Sequence, residues 1–229
     1  MIVTSVLGQS VQWCSPEGIC IALTIPGVQG GADGPDLFAT IKAPAAHKWF
    51  AIGFGQVMKG SLMLVSWPWQ DKVVVSPRLA QYVSHPLLPF LLEFCWWMLI
   101  FRGNFLPPPY TGPQVTVLKS TVTTTDTTVE LKCSNCTVWT TGKLDVQSTN
   151  ANFIYAYSTT APLQLANVNS GFQKHNDNGN FQLNLKNAIT TTAPTGAPAL
   201  SGTTAAPSGL SQRQIVLPLF LLFLMDRLF

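Results

Sequence analysis

The sequence predicts an all-β domain, and two observations carry this prediction. Apolar runs of strand length, rich in β-branched and aromatic residues, alternate with segments of Gly, Pro, Asn and Thr along most of the chain. Charged residues make up only 10% of the sequence, so Thr, Asn, Gln, Gly and Pro supply most of the polarity. This composition is typical of an extracellular β module and not of a cytosolic helical protein.

The length of the chain, 229 residues, suits one domain of ordinary size with tails. We assign residues 14–189 to this domain, residues 190–209 to a stalk, and residues 210–229 to a spacer and hydrophobic tail. The net charge is only +3, and no cluster of Lys and Arg is present. Nucleic acid is therefore not an expected partner.

The predicted strands follow from runs of apolar residues and from alternation of apolar with polar residues. They cover residues 19–26, 37–41, 49–54, 62–67 and 72–76, two strands within 115–132, residues 153–157, and a last strand carrying Phe181, Leu183 and Leu185. A Gly-rich loop is expected at residues 28–35, and Pro77 ends the strand that begins at Lys72.

One hairpin places a methionine, Met58, between two strongly apolar strands, 49–54 and 62–67. Three glycines remove Cβ atoms where the backbone must turn tightly or where a flat group approaches closely, namely Gly53, Gly55 and Gly60. For a lone methionine the ordinary interpretation is that it fills a gap in the core. A second candidate residue, His175, lies in a polar loop just before the last strand, where a histidine is usually only solvated.

The cysteines are read as two disulfides, Cys14 with Cys20 and Cys133 with Cys136, which leaves Cys95 unpaired. Paired cysteines in a Thr-rich β protein indicate an oxidising compartment. Other interpretations of the C-x-x-C pair are weaker: c-type haem attachment needs a following His, thioredoxin needs a βαβ context, and zinc needs a second close pair.

Residues 86–106, PLLPFLLEFCWWMLIFRGNFL, differ in composition from the rest of the domain. Their apolar core is short for a bilayer span and contains an acidic residue. A membrane hairpin and a buried helix are two interpretations, but an insertion foreign to the fold, such as translated intron sequence, is favoured. Because the flanks would join into a compact Pro-rich loop, we expect deletion of residues 87–106 to raise the soluble yield.

Both termini carry information about localisation. The first residues lack the basic segment and the long apolar core of a secretory signal, so we expect a missing or degenerate signal. Residues 190–209 are nearly all Thr, Ala, Pro, Gly and Ser, which predicts a disordered stalk. A polar spacer at 210–214 and an apolar tail at 215–225 resemble a glycolipid-anchor signal, although the charged residues near the end depart from it. We expect a location outside the cell or on its outer surface.

Five segments together resemble a known family. They read APAAHKWFAIGFGQVMKGSLMLVSW, VSPRLA, PPYTGPQVTVL, LKCSNCTVW and SGFQKHNDNGNF. In combination they are similar to the haem b cytochrome domain of fungal cellobiose dehydrogenases and to its stand-alone iron-reductase relatives, within the wider DOMON group. The resemblance covers residues 14–187 except for 86–106. It implies an immunoglobulin-like, antiparallel two-sheet β-sandwich.

The resemblance also implies a cofactor and a function. By motif, the two axial ligands of haem b fall on Met58 and His175, and the disulfide of the family falls on Cys133 and Cys136. A thioether and an imidazole leave no open position on the iron, which suits an electron carrier. The expected partners are an external electron donor and a metal-containing acceptor, either ferric iron or a copper oxygenase. The membrane is reached only through the C-terminal anchor.

Whether the chain is an enzyme stays open, with ferric reduction as the activity that the resemblance allows. A flavin dehydrogenase domain is not expected, because no G-x-G-x-x-G follows a strand and opens a helix. The alternative function is a haem-free, DOMON-like module that binds carbohydrate or another ligand at the cell surface.

Overall fold

The computed structural model describes residues 9–27, 34–80, 106–191 and 194–201, which form two sheets packed face to face. The strands are β1 (Val11–Cys14), β2 (Cys20–Pro26), β3 (Leu37–Pro44), β4 (Trp49–Phe54), β5 (Leu62–Trp69), β6 (Lys72–Leu79), β7 (Gln114–Val122), β8 (Asp126–Ser134), β9 (Val138–Trp139), β10 (Gly142–Lys143), β11 (Ala151–Ser158), β12 (Asp177–Leu183) and β13 (Ile189–Thr190). A 3-10 helix covers Leu185–Ala188.

The first sheet has the order β1-β2-β3-β8-β7, and β13 adds to β2 as a short parallel strand. The second sheet has the order β12-β11-β4-β5-β6 and is antiparallel throughout. A separate two-stranded ribbon is formed by β9 and β10. The predicted all-β, two-sheet antiparallel sandwich is therefore confirmed.

The predicted strands are all present, and the differences have local causes. Strand β6 continues to Leu79 through Pro77, which it can do because β6 is at the edge of its sheet. Leu185 was expected in the last strand but begins the 3-10 helix instead. Strands β1, β9, β10 and β13 were not predicted, because β1 has only four residues in a broken apolar run and the other three have only two residues each.

The main core lies between the two sheets and is rich in aromatic rings. Phe153 is fully buried, and its ring meets Phe54 edge-on at 5.7 Å and Phe181 in a stack at 5.3 Å between centroids. Burial of one such side chain contributes about 1.5–3 kcal/mol. These rings belong to β4, β11 and β12, so the core fixes the order of the strands that carry the site described below.

A second apolar cluster covers the outer face of the second sheet. Successive residues of a strand point to opposite faces, yet all six residues of β4 are buried. The outward residues pack with Phe172 of the loop between β11 and β12, and the cluster consists of Trp49, Ala51, Met63, Val65, Trp67, Ala80 and Phe172. This double burial explains why β4 and β5 read as continuous apolar runs.

The disulfides join the predicted cysteines. Cys14 and Cys20 face each other across the β1–β2 pair, and Cys133 and Cys136 close the turn that follows β8. The unpaired Cys95 lies outside the described residues.

Part of the predicted stalk lies against the first sheet. Strand β13 pairs with β2, the Thr40 hydroxyl donates to the Pro198 carbonyl at 2.5 Å, and Ser201 hydrogen-bonds Gln12 at 3.0 and 3.1 Å. Even a segment poor in apolar residues can hold this position, because its backbone groups find partners on the sheet. The domain boundary at 189 stays a prediction, and residues 202–229 lie outside the description.

Most of the atypical segment 86–106 also lies outside the described residues, but its flanks are close together. The Leu79 amide donates to the Pro108 carbonyl at 3.3 Å, and the Tyr110 amide donates to the Pro77 carbonyl at 3.0 Å. Leu106 packs against the outer cluster, so the domain resumes at this residue. Within the described ranges, no helix has the length and apolar character needed to span a bilayer.

Deletion of residues 82–105 should leave the fold intact, because the flanking backbones are already hydrogen-bonded to each other. We expect the free energy of unfolding, measured in urea, to stay the same or to rise by up to about 2 kcal/mol, since a shorter loop loses less conformational entropy on closure. As a control, a deletion extended through Tyr110 removes these hydrogen bonds and should destabilise. Loss of cooperative unfolding in the shorter deletion would show that the segment belongs to the core.

Candidate functional site

The loop that carries Met58, residues 55–60, is held by its backbone at both ends. The Gly55 amide donates to the Asn152 carbonyl at 3.0 Å, and the Gly60 amide donates to the Ala80 carbonyl at 2.7 Å. Met58 remains 38% exposed, and the neighbouring Val57 side chain is 59% exposed. A fixed backbone thus presents an accessible thioether.

The Gly60 carbonyl is a further anchor of this loop. It accepts hydrogen bonds from the Trp139 indole at 2.7 Å and from the Thr141 hydroxyl at 2.8 Å. Trp139 follows the turn closed by Cys133 and Cys136, and both cysteines are fully buried in the main core. The disulfide therefore fixes the segment that supports the Met58 loop.

The glycines of the hairpin have distinct roles. Gly55 has φ +148° and Gly60 has φ +73°, both in the region that favours glycine. Gly53 has a different role: a Cβ there would lie 2.6 Å from Cγ1 of Ile154 and 3.0 Å from Cγ of Met63. Because Gly53 has no side chain, Ile154 and Met63 lie across it and form a low apolar floor on the outer face.

The second loop, residues 159–176, joins β11 to β12 and folds back over the same outer face. The Trp67 indole donates to the Leu165 carbonyl at 2.8 Å. The ring of Phe172 meets Trp49 edge-on, with 5.0 Å between centroids. The loop then reaches His175 and enters β12.

His175 is half-buried, and its Nδ1 lies 3.2 Å from the side-chain amide of Asn178. Burial lowers the pKa of His175, Lys174 lowers it further, and Asp177 raises it. The lowered pKa favours the neutral imidazole, which is the form that binds metals. The hydrogen bond to Asn178 involves Nδ1, so among the described contacts Nε2 is the nitrogen left for a ligand.

Two asparagines of β12 contact both loops from one face of the second sheet. We call the outer-face positions Asn178 and Asn180 the strip. Asn178 and Asn180 are two positions apart, so they share a face at a spacing of about 7 Å. Asn178 contacts His175, whereas the Asn180 amide donates to the Gln56 carbonyl in the Met58 loop at 3.1 Å. The loops of Met58 and His175 thus reach neighbouring positions along β12.

His47, the other histidine that the structure describes, does not lie on this strip. His47 is only 7% exposed and stacks on Tyr157, with 3.9 Å between centroids. Tyr157 shares its face of β11 with Phe153, which points into the main core, so His47 lies on the other side of the sheet. Burial lowers the pKa of His47, against a smaller effect of Glu17. His85 lies outside the described residues.

A cavity of about 380 Å³ lies between the Met58 loop and residues 139–152. Its walls include Gln56, Val57, Lys59 and Trp139, but Met58 does not contribute to them. The Met58 side chain therefore does not line this cavity. Among the described residues, no three His, Cys, Asp or Glu side chains form a metal-binding group.

The model of the cytochrome domain of cellobiose dehydrogenase matches residues 8–192 of this sequence. The chain belongs to this family. Pyrroloquinoline quinone-dependent pyranose dehydrogenase of Coprinopsis cinerea is 28% identical to this cytochrome domain over 187 residues, which are 77% of this chain and 23% of that protein. The chain thus spans about a quarter of the length of the curated relatives it matches.

Solved structures have the same fold as this cytochrome domain. The cytochrome b domain of pyranose dehydrogenase from Coprinopsis cinerea gives a TM-score of 0.63 at 23% identity, covering 79% of this chain and 84% of that one. The cytochrome domain of Myriococcum thermophilum cellobiose dehydrogenase gives 0.60 at 22% identity, covering 78% and 85%. The family resemblance read from the sequence is therefore confirmed.

Sequence reasoning missed the residues that hold the two loops in place. Trp139 reaches Gly60 across 79 positions, and Asn180 reaches Gln56 across 124 positions. No local pattern identifies such contacts, because only the strand order brings these side chains together. The tryptophan after the C-x-x-C pair was visible in the sequence, but its indole partner was not.

Replacing Gly55 by Ala should disturb the Met58 loop, because φ is positive there and the new Cβ would meet the Ser61 hydroxyl that donates to the Val57 carbonyl. We expect a loss of about 1–3 kcal/mol in the free energy of unfolding. Gly196→Ala is the matched control, since no atom lies within 4 Å of its Cβ position. Equal stability of the two variants in urea would contradict this description of the loop.

Proposed function

We propose that this chain is a one-electron carrier that binds one haem b between Met58 and His175. The observation that carries the proposal is the pair of asparagines on β12, which links the loops of both residues to one strip of the outer face. Membership of a cytochrome-domain family supports the cofactor.

The residues present fit a flat, apolar group. Ile154 and Met63 form a floor above Gly53, and the exposed side chains of Val57 and Met58 provide apolar surface beside it. A planar macrocycle would cover these side chains and remove them from water, which contributes about 25 cal/mol per Å² of apolar surface.

Each proposed ligand has a defined chemical role. Haem b supplies a one-electron Fe(III)/Fe(II) couple when it is bound. The Met58 thioether would favour the reduced iron, and the His175 imidazole would bind through Nε2 while Asn178 orients Nδ1. With these two side chains as ligands, the iron would have no position left for water or oxygen.

The partners and the location are proposals of the same kind. A dehydrogenase is the donor suggested by the names of the relatives, and ferric iron or a copper oxygenase is the acceptor. Two disulfides support a location outside the cell or on its surface. Attachment by a glycolipid at the C-terminal tail stays a prediction, since residues 202–229 lie outside the described part.

Replacing Met58 by His should keep haem bound but lower its reduction potential, because an imidazole stabilises Fe(III) better than a thioether does. Spectroelectrochemical titration of the purified protein measures this potential. Val117→His is the control, since it introduces the same ring at an exposed position of β7 in the first sheet and should leave the potential within about 20 mV, or 0.5 kcal/mol, of the parent. An unchanged potential in Met58→His would place the ligand elsewhere.

Replacing His175 by Ala should remove most of the bound haem, since a thioether is a weak ligand on its own. Haem content per protein, from the Soret absorbance and the protein concentration, is the measurement. His47→Phe is the matched control, because it removes the other described histidine and retains a ring against Tyr157. Full haem content in His175→Ala together with loss in His47→Phe would reverse the assignment.

A further inference from the structure

Arg78 is a buried charge on the outer face of the second sheet. It is only 3% exposed and lies in β6, where it pairs with Met63, which in turn pairs with Gly53. Arg78 is thus in the same row as the apolar floor. Since neighbouring strands are about 4.8 Å apart, the Cα atoms of Arg78 and Gly53 are separated by about 10 Å.

Within the described part of the chain, Arg78 donates its hydrogen bonds only to neutral oxygens. Nε donates to the Ser76 hydroxyl at 2.7 Å, and Nη1 donates to the Pro107 carbonyl at 3.4 Å. Nη2 donates to the carbonyls of Ser170 at 2.8 Å and Val168 at 3.1 Å. These bonds fix the guanidinium in one orientation.

No carboxylate within the described ranges forms an ion pair with Arg78. Burial alone lowers the pKa of Arg78, without a contribution from any charged neighbour. Arginine nevertheless stays protonated in proteins, so the site carries a full positive charge. A buried charge without a counter-ion is costly, because carbonyl dipoles replace only part of its hydration.

Arg78 also contacts the loop that leads to the proposed ligand. Its guanidinium carbon lies 5.2 Å from the centre of the Phe172 ring, and Phe172 packs against Trp49. Phe172 precedes His175 by three positions, so the guanidinium charge lies beside the segment that ends at His175. This contact gives Arg78 a structural role that any test must separate from the effect of its charge.

We propose that the fixed positive charge of Arg78 raises the reduction potential of a haem bound at the outer face. The inference rests on the proposed function. Reduction lowers the positive charge on the iron by one, so a nearby cation favours the reduced form. Because the guanidinium is buried, salt screens this effect far less than it screens a surface charge.

The test is spectroelectrochemical titration of the full chain with Arg78 replaced by Lys, Gln or Met. Arg78→Gln and Arg78→Met remove the charge and should both lower the midpoint potential by the same amount. Arg78→Lys keeps the charge but loses most of the donors to the loop, so its potential should stay close to that of the parent. Lys119→Gln is the surface control, since this side chain is 68% exposed, and it should leave the potential unchanged.

Salt provides a second criterion. The difference between the parent and Arg78→Gln should persist in concentrated salt, as expected for a buried charge. Equal potentials in Arg78→Lys and Arg78→Gln, both below the parent, would show that loop position and not charge sets the potential, and would overturn the proposal. A difference between the parent and Arg78→Gln that vanishes in concentrated salt would also overturn the proposal.

The design separates this inference from the proposed function. If the parent chain binds no haem, the proposed function fails first; if it binds haem but Arg78→Gln has the parent potential, only the role of Arg78 fails. Thermal unfolding of the haem-free proteins shows whether each variant folds.

If the neutral variants do not fold, Arg78→His replaces them. The potential of Arg78→His should rise on acidification relative to that of the parent, because the imidazole becomes charged. A constant difference between the two potentials would overturn the proposal.

Discussion

The site depends on the loop between β11 and β12 being fixed across the outer face of the second sheet. Trp67 and Arg78 donate hydrogen bonds to carbonyls of this loop, and Phe172 packs into the apolar cluster beneath it. These contacts close the outer face over β5 and β6. Next to Gly53 the same face has a low apolar floor, and the loop ends at His175, which contacts Asn178 of β12.

The Met58 loop is supported from the opposite direction, by the segment that follows β8. The Cys133–Cys136 disulfide anchors a turn in the main core, and Trp139 extends from that turn to the Gly60 carbonyl. The two proposed ligands therefore depend on different parts of the sandwich. A change in one support should alter one ligand without displacing the other.

The sequence was sufficient for the longer strands and for the two loops, because periodicity and glycine spacing are local signals. Trp49–Phe54 and the strand starting at Leu62 were predicted at the positions where the structure has them. The disulfides followed from cysteine spacing. What could not be predicted is how the loops are held, since Asn180 and Trp139 act across long sequence separations that only strand order brings together.

X-ray absorption spectroscopy at the iron edge of the haem-loaded protein tests the central claim most directly. Ligation by Met58 and His175 predicts one sulfur neighbour of iron together with nitrogen neighbours, and Met58→Leu should remove that sulfur. A spectrum of the parent protein that contains only nitrogen or oxygen neighbours would contradict the account.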